Sequence, residues 1–226
     1  MIKDLTVVYY TANNAPESFM AKTQEQLLKA IGDTPLISVS QKPMDFGENI
    51  CVGDIGCSTV NIYKQSLIGA KAAKTKYIAM AEDDALYTPS HFEYRPTPGV
   101  FAYDENCWGI YTWTKPLFTY KGRRVLWALV CERELYIKVM EERFAKYPNH
   151  DVKVPPTWGE PGRYERQLGV TLNKTEYFFS KEPSVVFSHP TALGFLNLGK
   201  RKRLGINPTE ELAPWGKAED ILKFYQ

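Results

Sequence analysis

The stretch Lys76-Tyr77-Ile78-Ala79-Met80-Ala81-Glu82-Asp83-Asp84 (KYIAMAEDD) decides how this chain folds. Lys76 to Ala81 is a short, almost continuous apolar run, the pattern of a strand covered on both faces. Three acids follow it without a break. Crowded carboxylates repel, and each is costly to desolvate unless positive charge stands nearby. A divalent cation solves that problem economically, because hard oxygen ligands suit magnesium and manganese. The carboxyl end of a strand is also where ligands collect in α/β sheets. The alternative is a solvated turn in which Asp84 caps the next helix.

Upstream, strand and helix signals alternate. Leu5 to Tyr10 is β-rich and ends in the polar loop Thr11-Ala12-Asn13-Asn14. Pro16 suits a first helical turn. Phe19, Thr23, Leu27 and Ile31 then share a helical face, with Met20 and Leu28 beside them, until Gly32-Asp33 stops the helix. Leu36 to Val39 is the second strand. A polar loop with Pro43, Gly47, Gly53 and Gly56 follows, and Ser58 caps a helix running to about Lys74, with Ile62, Leu67 and Ala70 turned inward. Strand, helix, strand, helix, strand predicts a parallel sheet covered by helices.

Downstream, Val100 to Tyr103, Trp108 to Trp113 and Val125 to Cys131 read as strands with no helices between them. A helix is expected from Arg133 to Lys146, with Ile137, Met140, Phe144 and Tyr147 on its inner face. Proline and glycine dominate from 148 to 162, which predicts an ordered loop or lid. Tyr177 to Phe179 and Val185 to Phe187 are the last strands expected. Beyond Pro190 the chain is glycine-punctuated and basic.

Strand-loop-helix repeats leading to KYIAMAEDD resemble the GT-A class of nucleotide-sugar glycosyltransferases, whose D-x-D motif ends a strand at the sheet centre. The segment NIYKQSLIGAKAAKTKYIAMAEDD, residues 61–84, resembles the helix-then-acid segment of that superfamily's inverting members. The likeness covers residues 1–113 as architecture and only a few residues as motif, and Glu82 stands where the motif begins with aspartate. It implies an α/β fold with a mostly parallel central sheet flanked by helices and a smaller antiparallel portion on the acceptor side. It also implies one domain over 1–226, with a nucleotide-sugar half at 1–113 and an acceptor half at 114–226.

The resemblance implies Asp84 as a ligand to manganese or magnesium, with Glu82 and Asp83 toward the donor ribose or the metal shell. His189, at the end of Val185-Val186-Phe187, fits the C-terminal histidine that completes the metal shell in many such enzymes; a histidine simply hydrogen-bonded at a strand end is the other account. The loop Tyr10, Thr11, Asn13 and Asn14 corresponds to the base and ribose side, where Tyr10 is expected to stack. Lys200, Arg201 and Arg203, with Lys202, suit a pyrophosphate, or else form a solvated turn or a nucleic-acid patch. The class's catalytic base falls near a Trp-Gly loop, which points to Glu160 and then Glu165 around Trp158-Gly159-Glu160-Pro161-Gly162. A glutamate capping the helix near Arg163 is the competing account.

The function expected is therefore metal-dependent, inverting transfer of a sugar from a UDP-sugar. A 5-hydroxymethylated base in viral DNA is one acceptor the class offers; Arg123-Arg124 and Lys200–Arg203 suit it, and a saccharide on a glycan is the alternative. A net charge of +2 is too small to indicate nucleic acid by itself. A metal-dependent nucleotidyltransferase competes, but the Thr11 to Pro16 loop has neither the glycine nor the lysine of its phosphate loop. A non-catalytic sugar- or nucleotide-binding module is a third reading. No apolar run is long enough to span a bilayer and no signal pattern opens the chain, so a cytoplasmic microbial or viral enzyme with no membrane partner is expected. Cys51, Cys57, Cys107 and Cys131 lack zinc-site spacing and read as reduced thiols, the last two as small core residues.

Overall fold

A computed structural model describes residues 4–148, 159–193 and 205–225. β1 (Leu5–Thr11), α1 (Glu17–Ile31), β2 (Leu36–Ser40), β3 (Glu48–Cys51), α2 (Thr59–Ala72) and β4 (Tyr77–Glu82) form the alternating first half. Then come β5 (Ala85–Leu86), α3 (Pro89–Glu93), β6 (Val100–Asp104), β7 (Cys107–Tyr111) and β8 (Phe118–Tyr120). A 3-10 turn (Leu126–Ala128) leads into β9 (Leu129–Glu132), followed by α4 (Arg133–Lys146), α5 (Glu165–Leu168), β10 (Lys174–Phe178) and β11 (Ser184–Ser188). β12 (Ile206–Thr209), β13 (Glu211–Leu212), β14 (Gly216–Lys217) and α6 (Ala218–Leu222) end the described chain.

The main sheet has the order β10-β6-β9-β4-β1-β2-β3. β3, β2, β1 and β4 are parallel to one another, β9 runs against β4 and β6, and β10 is parallel to β6. Only β9 thus opposes the common direction, so the expected mostly parallel α/β sheet is present. A second sheet, β12-β8-β7-β11-β5, is antiparallel except for β7 and β11. It is the smaller antiparallel portion.

β1 is buried along its whole length because both of its faces are covered. Leu5, Val7 and Tyr9 pack with Leu27, Ala30 and Ile31 of α1, whereas Val8 and Tyr10 pack with Tyr63, Leu67 and Ala70 of α2 and with α4. A third cluster joins Phe19 and Met20 of α1 to Leu86, Ile110, Phe118, Val185 and Phe187 of the second sheet. α1 is therefore shared between the two sheets. Gly32 ends it at φ 54°, a conformation glycine adopts without strain.

Three expectations are corrected. Leu28 is 47% exposed on the outer side of α1, not beside its buried face. The buried face of α4 is Tyr136, Val139, Met140 and Arg143, one residue out of phase with Ile137, Phe144 and Tyr147, which are partly buried at its margin. The loop after β2 contains a strand, β3. All four cysteines are free thiols, Cys107 and Cys131 buried and Cys51 and Cys57 exposed. Among the described residues no helix is long and apolar enough to cross a membrane.

Candidate active site

The strand order β3-β2-β1-β4 reverses its direction of winding at β1. The β1-to-β2 crossover leaves to one side and β4 is added on the other, so a crevice opens beyond the carboxyl ends of β1 and β4. Tyr10 stands opposite Glu82 in register there. The Tyr10 hydroxyl donates to Glu82 Oε1 at 2.7 Å, and the Thr11 hydroxyl donates to Asp83 Oδ2. Thr23 of α1 donates to the Asp83 carbonyl at 2.9 Å, and the Glu82 N–H donates to the Tyr87 hydroxyl at 3.0 Å. The first two acids are thus aimed by β1, α1 and a buried tyrosine.

Asp84 stands in the turn between the two sheets. The chain steps directly into β5, antiparallel to β11, and the Phe187 N–H donates to the Asp84 carbonyl at 2.8 Å. That pairing brings His189 beside Asp84, with Nε2 3.6 Å from Oδ2, too long for a hydrogen bond. His189 Nδ1 bonds the Thr191 hydroxyl at 2.9 Å, and the ring packs against Phe19 and Tyr225. His189 is 2% exposed and has Nδ1 engaged, which leaves Nε2 toward Asp84. Asn14 donates to the Thr191 carbonyl at 3.0 Å, closing the β1 loop over this corner.

The electrostatics at the three acids are those of crowded, buried carboxylates. Burial, then the Asp84 charge, pushes Glu82 well above the usual carboxylate range, against the Tyr10 hydrogen bond. The same two causes push Asp83 up to about 6, opposed by Thr11 and His189. Asp84 Oδ1 is buried without a hydrogen-bond partner, and among the described residues no lysine or arginine pairs with any of the three acids. A carboxylate with one oxygen orphaned and the other 3.6 Å from an imidazole nitrogen fits a hard divalent ion. Among the described residues no three or more His, Cys, Asp or Glu side chains form a metal cage. An ion held by Asp84 and His189 therefore needs ligand oxygens and water for the rest of its shell, as magnesium does at phosphate sites.

The three acids and His189 line a cleft of about 360 Å³ together with Tyr10, Thr11, Asn14 and Glu160. Gln41, Gly56, Ser58 and Asn61, from the segment between β2 and α2 and the start of α2, also line it, as do Lys121, Arg123, Trp127, Arg163 and Tyr164. Ser58 caps α2 as expected, accepting from the Asn61 N–H at 3.2 Å. Arg163 NH1 donates to Glu160 Oε2 at 2.9 Å. Sequence reasoning missed Lys121 and Arg163 as cleft residues. Arg163 was within reach, three residues after Glu160 in the same loop, whereas Lys121 depends on the β7–β8 hairpin.

Several expected roles do not survive the geometry. Tyr10 is 2% exposed and committed to Glu82, so it offers no ring face to a base. Asn13 adopts φ 53°, and its Oδ1 accepts the N–H groups of Gln41 and Lys42 at 2.8 and 2.9 Å, tying two loops together outside the cleft lining. Glu165 is 4% exposed and is absorbed by Arg143, the Gly162 N–H and Asn173. Arg124 is turned to Tyr177 and the Gly162 carbonyl, while its neighbour Arg123 lines the cleft. Lys200, Arg201 and Arg203 lie outside the described residues.

No protein-family model matches the sequence, and no curated protein matches it. Among solved structures, the chain is similar to a glycosyltransferase involved in glycosylation of the major capsid of PBCV-1, at 10% identity and TM-score 0.42, over 89% of this chain and 91% of that one. It is also similar to the apo form of the glycosyltransferase GlyE of Streptococcus pneumoniae, at 7% identity and TM-score 0.46, over 77% and 45%. A third is TarS of S. aureus in complex with UDP-GlcNAc, at 10% identity and TM-score 0.45, over 82% and 58%. The chain spans roughly half the length of the last two. At these scores the likenesses assign no chemistry, and the functional reading rests on the cleft.

Proposed function

We propose that this protein is a metal-dependent glycosyltransferase that moves a sugar from a nucleotide-diphosphate sugar, a UDP-sugar, to an acceptor hydroxyl with inversion. One observation carries the reading: an acidic cluster at the switch point of the sheet, with Asp84 and His189 brought face to face and a buried Asp84 oxygen left unsatisfied. Asp84 and His189 would hold manganese or magnesium, which supplies Lewis-acid neutralisation of the departing diphosphate. Asp83, fixed by Thr11, faces the β1 loop, where a ribose hydroxyl can donate to it. Thr11, Asn14, Gln41 and Ser58 supply polar groups for the nucleoside.

Glu160 enters the same cleft and is the candidate for removing the acceptor proton, with Arg163 orienting its carboxylate. The competing nucleotidyltransferase would need donors for a triphosphate beside β1. The loop there turns through Asn13, whose N–H donates to Thr11 Oγ1 at 2.8 Å, and it carries no lysine or glycine. For the acceptor, a saccharide hydroxyl and a 5-hydroxymethylated base both suit a cleft walled by Trp127 and Tyr164 and edged by Arg123. Salt separates them, because phosphate contacts weaken steeply with ionic strength.

The test is thermal unfolding with a panel of nucleotide-sugars, with and without manganese. A UDP-sugar should raise Tm only when the metal is present, and Asp84→Ala should abolish both the shift and transfer. An equal shift in chelator would remove the metal from the reading. A larger shift with a nucleoside triphosphate would favour nucleotidyl transfer.

A further inference from the structure

Arg143 has no exposed surface although it lies in the last turn of α4, and Glu165 at the start of α5 is 4% exposed. Arginine and glutamate are almost never fully buried unless paired. These two are paired, Arg143 NH2 donating to Glu165 Oε1 at 3.2 Å, but imperfectly, since Arg143 Nε is buried without a partner. A buried ion pair of this kind is a poor source of stability against an apolar replacement. Its contacts point to a different use.

Arg143 NH1 donates to the Gly159 carbonyl. The oxygen of Glu165 that takes Arg143 also accepts the Gly162 N–H, and Asn173 Nδ2 at 3.2 Å. Tyr103 of β6 donates to the Pro161 carbonyl at 2.8 Å, and Arg124 donates to the Gly162 carbonyl. The backbone is therefore fixed at 159, 161 and 162, on both sides of Glu160. Glu160 itself projects into the cleft with Arg163 on its carboxylate.

We propose that Arg143 and Glu165 are positioning residues, which set the place of Glu160 in the cleft through the loop 159–164. The inference rests on the reading of Glu160 as the base. A displacement of about 1 Å is enough to cost about a hundredfold in rate, so a loop without secondary structure needs such anchors.

The test compares Arg143→Lys, Glu165→Ala and Glu165→Gln with the wild type in steady-state transfer and in the donor-plus-manganese thermal shift. Lysine keeps the charge but cannot reach both Gly159 and Glu165. Arg143→Lys should lower kcat about tenfold or more, with donor KM and the thermal shift unchanged. Glu165→Ala should do the same, and Glu165→Gln, which keeps the accepting oxygen, should restore most of the loss. In a Glu160→Asp background, where the carboxylate is already displaced, Arg143→Lys should cost much less than in the wild type. Unchanged kcat in both Arg143→Lys and Glu165→Ala would overturn the proposal, as would a loss of equal factor in the two backgrounds. Wild-type kcat in Glu160→Ala would instead refute the reading of the base.

Discussion

Glu160 and Glu165 are five positions apart, one in a glycine- and proline-rich loop and the other at the start of the short helix that follows it, and the sequence offers both as candidate bases. The structure separates them: Arg143, from a helix 22 residues earlier, takes Glu165 into the interior, and Glu160 is left at the cleft. Tyr10 shows the same dependence on distant neighbours. β1 is covered on both faces, so a tyrosine at its end is drawn inward, where its hydroxyl serves Glu82. By contrast, the mutual repulsion of Glu82, Asp83 and Asp84 is a local property and can be read directly. His189 lies between these cases, since its approach to Asp84 depends on the pairing of β5 with β11, strands far apart in the sequence. His189→Ala should reduce the donor-plus-manganese shift several-fold relative to that variant's own unliganded Tm. An undiminished shift would leave His189 a packing residue between Phe19 and Tyr225.

The elements legible in the sequence were those with length and period. β1, α1, β2, α2 and β4 fall close to their expected places because each shows a continuous apolar run or a capped amphipathic face. α4 has the expected ends but a shifted buried face, because its most buried charged residue, Arg143, reads as solvent-facing. β3 was missed because its four residues are exposed or only partly buried at the sheet edge. β5 and β8, of two and three residues, are too short to show any period. Packing between α2 and β1 gives a test at this scale. Gly69 lies over β1, and an added Cβ would run into Val8 Cγ1 and approach Val39 Cγ2 at 3.2 Å. Helix propensity alone favours alanine there by about 1 kcal/mol. Overpacking a buried β-branched neighbour should outweigh it, so Gly69→Ala should destabilise by about 1–2 kcal/mol in denaturant unfolding. A raised midpoint would show that the interface has room.

Among the described residues the chain passes from the main sheet to the second at three places, and one buried carboxylate holds two of them, β6 to β7 and β10 to β11. Asp104 Oδ1 accepts the N–H of Asn106, between β6 and β7, and the N–H of Ser180, between β10 and β11, while Oδ2 bonds His91 Nδ1 at 2.9 Å. Burial opposes its ionisation, but the His91 and Ser180 bonds outweigh it and hold the pKa below the usual value. A lowered folded pKa gives stability that is present above the unfolded value, about 3.9, and is lost as pH falls through the folded one. Asp104→Asn should therefore lower Tm at pH 7, and its deficit should shrink below about pH 4. A constant deficit from pH 7 to 3 would place the contribution elsewhere. The union of the sheets has its other seam at the cleft, where the Phe187 N–H closes on the Asp84 carbonyl. That single proton is a reporter built into the backbone: its deuterium uptake measures how often β5 and β11 part. Donor and manganese bound across the seam should slow its exchange far more than that of amides at the β3 edge, so occupancy of the site can be timed without any turnover.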